Sequence, residues 1–142
     1  MAADGLITLA SGFAPKETAG RLAAAIEARG MTVFARIDHA AGAAAAGLAL
    51  RPTELLIFGN ARGGTPLMQA DQAIGIDLPL KAVVYEDAAG KIWLAYNDPH
   101  WLARRHGLGA AFAPIVEAMA TALAAVAAAA TRSSDHEPEP LR

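Results

Sequence analysis

The chain has 142 residues, a single-domain length, with 12 Lys and Arg against 14 Asp and Glu for a net charge of −2. Its hydrophobic share is 54%, yet 37 of those 77 residues are alanine, so only 40 larger apolar side chains remain to build a core. That core must rest on closely packed helices and small residues rather than aromatic layers. With no cysteine, thiol catalysis, CxxC redox chemistry and cysteine metal ligands fall away. Arg104-Arg105 is the one basic pair, which argues against a nucleic-acid partner, since that needs a basic face. No apolar run is expected to reach the roughly 18 residues that span a bilayer, and Met1-Ala2-Ala3-Asp4-Gly5 carries no basic n-region. A cytoplasmic protein with neither membrane nor nucleic-acid partner is the expectation.

In chain order, Gly5–Ala10 reads as a first strand. Pro15 suits the first turn of a helix, where its missing N–H is not needed. Thr18, Leu22 and Ile26 recur at helical spacing with Ala19 and Ala23 beside them, and Arg29-Gly30 ends that helix. Met31–Ile37 reads as a second strand. Asp38–Arg51 has room for one or two helical turns, broken by Gly42 and Gly47. Thr53–Phe58 holds four consecutive apolar residues before Gly59, which predicts a central strand buried on both faces. Asn60–Pro79 is a long connection of the kind that holds a short helix or carries function, with Met68–Ala73 the helical candidate.

Leu80–Glu86 and Lys91–Tyr96 flank Asp87-Ala88-Ala89-Gly90 as a hairpin, with Ile92, Leu94 and Tyr96 on one face and Lys91, Trp93 and Ala95 on the other. Asp98-Pro99 caps and starts a short helix that ends at Gly107. Pro114–Ala130 is a last helix with Ile115, Met119, Leu123 and Val126 as its core stripe and alanine over most of the remainder. The expected domain therefore spans 1–130. It is α+β, an antiparallel sheet with helices packed on one face in strand-helix-four strands-helix order. Residues 131–142 read as a disordered tail.

Few residues carry chemistry. His100 and His106 are six apart rather than i, i+4, so a zinc pair on this helix is not expected; a site of two histidines and a carboxylate from His39, His106 and Asp98 is conceivable, but partly buried histidines hydrogen-bonded to backbone are the expectation. No GxSxG elbow exists, and Ser11 is the only serine before the tail. Gly59-Asn60-Ala61-Arg62-Gly63-Gly64-Thr65 follows a buried strand with three glycines, a cation and two hydrogen-bonding side chains. It reads as a tight turn or as a nest of N–H groups suited to an anion, and it is neither a Walker A loop nor GxGxxG. Tyr96-Asn97-Asp98-Pro99 forms a second polar cluster. In a plain meander Asn60 and Asn97 leave the sheet at the same edge.

Asp38-His39-Ala40-Ala41-Gly42, Thr53-Glu54-Leu55-Leu56-Ile57-Phe58-Gly59-Asn60, Gly64-Thr65-Pro66-Leu67-Met68-Gln69, Asp77-Leu78-Pro79-Leu80-Lys81 and Tyr96-Asn97-Asp98-Pro99 stand in this order. Together with Arg105-His106-Gly107-Leu108 they resemble the bacterial and archaeal family called domain of unknown function 302, over about Leu6 to Ala130. Ala61 departs from the Pro that many relatives show after Gly-Asn. The resemblance implies a TATA-box-binding-protein-like α+β fold, usually dimeric, and no reaction.

The combined expectation is a homodimeric domain that binds a small polar or anionic molecule at the sheet edge. Asn60, Arg62 and Thr65 would contact it, with Asn97, Asp98 and His106 completing the pocket and His39 a weaker member. Two alternatives stand beside it: an enzyme with His106 or His39 as a base oriented by Asp98, and a purely structural dimerisation module. Neither a cofactor nor a metal is indicated.

Overall fold

The computed structural model describes residues 3–132. Five strands form one antiparallel sheet: β1 (Leu6–Ser11), β2 (Thr32–Asp38), β3 (Thr53–Gly59), β4 (Leu80–Glu86) and β5 (Ile92–Asn97). Their order across the sheet is β1-β5-β4-β3-β2, so the first strand pairs with the last and β3-β4-β5 is a plain meander. Five α-helices stand beside them among the described residues: α1 (Pro15–Ala28), α2 (His39–Ala45), α3 (Ala61–Ala70), α4 (Pro99–Arg105) and α5 (Ala113–Thr131). The sequence reading of α+β with that strand-helix-four strands-helix frame holds.

One face of the sheet carries α1 and α5, and the core lies between them. Leu22 and Ile26 of α1 and Leu123, Val126 and Ala130 of α5 pack on Leu56, Phe58, Val84 and Leu94. Alternation in β4 and β5 sends Leu80, Ala82 and Val84 with Ile92, Leu94 and Tyr96 into that layer, as period-two strands require. Pro15 begins α1, and Gly30 ends it with a φ of 78°, a left-handed value that glycine adopts without a Cβ penalty.

Four expectations change. β3 is not buried on both faces: Leu56 and Phe58 are, while Leu55 and Ile57 on the face away from α1 and α5 are only half-buried. Four apolar residues in a row fit a strand packed on one side as well as a doubly covered one, and periodicity alone does not separate the two. The stripe on α5 also divides. Leu123 and Val126 are buried as expected, Met119 is half-buried and packs against the core, and on the first turn Val116 is buried where Ile115 was expected. The stretch Ala110–Thr131 is 22 residues long and holds an 18-residue window with a mean hydropathy of 1.8, long and apolar enough to cross a membrane by length and composition. The expectation that no run approaches that length does not hold, because alanine carries this one. The predicted tail begins one residue too early, since Thr131 is the buried last residue of α5; the tail from Ser133 on lies outside the described residues.

Candidate functional site

The segment between β3 and β4 is neither a tight turn nor a nest. It is helical from its second residue. Asn60 is extended and acts as N-cap of α3, its side-chain oxygen accepting from the Gly63 amide at 2.7 Å, the standard way to satisfy an orphan first-turn donor. Glycine is a poor helix former, yet the cap and the packing of Leu67, 2% exposed, outweigh the propensity penalty. The expected Met68–Ala73 helix falls across the end of α3 and the start of a 3-10 turn at Gln72–Asp77.

The glycines of the first turn instead open a cleft. A Cβ on Gly63 would stand 3.3 Å from Asn60 Oδ1 and 3.8 Å from Met119 Cε, and one on Gly64 would meet Leu78 Cδ1 and Met68 Cε at 3.7 Å. The cleft is about 660 Å3 and lies between α3, the Leu78-Pro79 segment, the end of β3 and the first half of α5. Small-molecule sites range over about 300–1,000 Å3. Its walls are largely apolar, with Met31, Phe34, Met68, Leu78, Ile115 and Met119 facing it. Phe34 is aimed there by a bulge in β2 between Val33 and Ala35 and is 56% exposed.

Asn60, Arg62 and Thr65 all line this cleft. The other predicted members do not. Asn97 leaves β5 at the same end of the sheet as Asn60, as expected of a meander, but the register places Tyr96 level with Ala82 and Leu56. Asn60 therefore stands three residue steps beyond Asn97 and two strands away, roughly 14 Å apart. Asp98 is the N-cap of α4, accepting from the His100 amide at 2.9 Å. His39 opens α2 behind its cap Asp38 and lies at the opposite end of the sheet, where Asp38 pairs with Glu54 at the start of β3.

His106 is oriented by a carboxylate, but not by Asp98. Its Nε2 meets Asp77 Oδ2 at 2.5 Å, with the two side chains 10% and 11% exposed. Arg105 Nη1 also donates to both oxygens of Asp77, at 3.0 and 2.9 Å. This triad fastens the 3-10 turn to the end of α4, and none of its members lines the cleft. Asp77 escaped the sequence reading because 29 residues separate it from His106, beyond any local pattern. Met31, Met68 and Met119 escaped it because methionine at helical or strand spacing reads as core.

Two ionisable groups are displaced from their ordinary behaviour. The Trp93 indole N–H above all, then the Lys91 and Ala89 amides, hold the Asp87 carboxyl below its ordinary value of 3.8 in the β4–β5 turn. Burial, then the Asp98 carboxylate, pushes the Tyr96 phenol above its ordinary 10.0. Among the described residues no group of three or more His, Asp and Glu could hold a metal ion.

Solved structures bear out the architecture. The crystal structure of an uncharacterized conserved DUF302 protein from Bacillus stearothermophilus superposes with a TM-score of 0.79, covering 90% of this chain and 99% of its own at 22% identity. Curated relatives are closer in sequence and longer. The chain is 52% identical over 118 residues to a protein of Brucella suis biovar 1 named fluoride-specific ion channel FluC 1. It matches fluoride-specific ion channel FluC 2 of Brucella melitensis biotype 1 at the same identity. These matches take in 83% of this chain but only 46% and 44% of the relatives, so it spans less than half of their length. The family model for domain of unknown function DUF302 matches residues 7–126, and the chain belongs to that family.

Proposed function

We propose that this chain is a small-molecule-binding domain whose site is the cleft between α3 and α5. The observation that carries the reading is a coincidence of place: Asn60, Arg62 and Thr65, singled out from sequence as a polar ligand group, all line this cleft of about 660 Å3. Structural use accounts for the Asn60 oxygen, which caps α3, but not for Arg62. It is exposed, and no ion pair among the described residues includes it. A thermal-shift screen of metabolites checks the reading. A ligand at one hundred times its Kd should add about 2.7 kcal/mol to the native state. That gain is expected to vanish in Ala118→Phe, which fills the cleft from its exposed rim. A compound that stabilises both proteins equally would place binding elsewhere.

The homodimer is proposed on the sheet face away from α1 and α5. Leu55, Ile57, Val83, Tyr85 and Trp93 lie half-buried on that face and Ile37 is 40% exposed. Five strands of about six residues cover roughly 24 by 20 Å, so two such faces would bury about 1,000 Å2, the lower bound for a specific interface.

The Brucella relatives support a second reading, in which the domain accompanies a membrane channel that passes fluoride. Deleting the gene for this chain is then expected to lower the fluoride concentration that arrests growth. Equal resistance in deletion and parent strains would remove that reading and leave the cleft untouched.

A further inference from the structure

The cleft's chemistry is lopsided in a way that specifies its occupant. Of the residues around it only Arg62 carries a charge, and no carboxylate opposes it. All three methionines within the described residues, Met31, Met68 and Met119, face the same space. Thioether side chains are flexible and polarizable, which suits walls that close on apolar bodies of varying shape. A bare inorganic anion would meet one guanidinium and otherwise hydrocarbon, and would lose more hydration than it regains. A neutral hydrocarbon would leave the guanidinium unused.

Resting on the cleft as the binding site, we propose that its ligand is an amphipathic monoanion: an apolar body held between α3 and α5, with a carboxylate head at Arg62. The guanidinium presents two parallel donors that match the two oxygens of a carboxylate. The Asn60 amide nitrogen adds a further donor on the same wall, its oxygen being already committed to the Gly63 amide.

Decanoate and decanol separate the two halves of the idea, since they share a body and differ in head group. Calorimetric titration of the full chain is expected to give decanoate about a tenfold lower Kd than decanol. Arg62→Gln should raise the decanoate Kd to that of decanol and leave decanol unchanged, with no loss of melting temperature. Ala118→Phe should weaken both. If decanoate and decanol bind alike and Arg62→Gln changes neither, the carboxylate assignment is overturned while the cleft reading stands. If acetate or inorganic phosphate binds as tightly as decanoate, the apolar half is overturned. If neither decanoate nor decanol binds, or Ala118→Phe leaves both Kd values unchanged, the class of ligand and the cleft reading fall together.

Discussion

Gly5 is the residue whose replacement the structure resists most directly. Its φ is 74°, and a Cβ there would lie 2.3 Å from Trp101 Cγ. Its carbonyl accepts from the Asp98 amide at 2.7 Å, which joins the entry of β1 to the cap of α4. Gly5→Ala combines a left-handed backbone with an overlap onto a ring, and a loss of roughly 2–3 kcal/mol is expected in urea denaturation. An unchanged midpoint would contradict this packing. Tyr96 makes a prediction at the alkaline end. Its phenol is held neutral in the folded state above the pH at which the unfolded chain ionises, so the folded pKa is raised. Stability from this group is therefore complete below about pH 10 and declines as pH rises through the folded value. Tyr96→Phe should show a shallower fall in melting temperature than the parent as pH rises above about 10, with the two curves compared point by point.

At the scale of elements, the Asp77 clasp is what holds the 3-10 turn against α4. Asp77→Asn leaves His106 and Arg105 without their carboxylate, and a loss of roughly 1–3 kcal/mol is expected from a pair this well buried. Asn60→Ala is expected to weaken α3 by about 1 kcal/mol through its lost cap, in contrast to the neutral Arg62→Gln. The same elements show how far the sequence could be read. The Asp87 turn, the faces of β5 and the cap Asp98 were legible because each rests on residues within four positions of one another, whereas Asp38 was not read as the cap of α2 that it is. The cleft was not legible. It is made where α3 meets α5 about fifty residues later, and its glycines read as turn signals because nothing local reports that Met68, Leu78 and Met119 need the space their side chains would occupy. Arg62 and Thr65 were picked out for polarity and stand in a wall that is mostly hydrocarbon.

For the whole molecule, the proposed dimer gives a test that leaves the fold intact. Ile57→Glu sits on the half-buried outer face of β3. Sedimentation equilibrium is expected to show a dimer for the parent and a monomer for the variant, with unchanged circular dichroism. A parent that remains monomeric at micromolar concentration would leave that face without its partner. The composition of α5 bears on how the molecule assembles in time. Ten of its 19 residues are alanine, the residue that gives up no rotamer freedom on entering a helix. Such a segment forms and melts within about a microsecond even in an unfolded chain. The sheet has the opposite character, because Leu6 must find Asn97 across most of the sequence to join β1 to β5, and pairings that distant form slowly. Before that seam closes, an intact α5 offers a ready surface on which α1 can settle. Substitutions of its exposed alanines by glycine should therefore slow refolding more than they hasten unfolding.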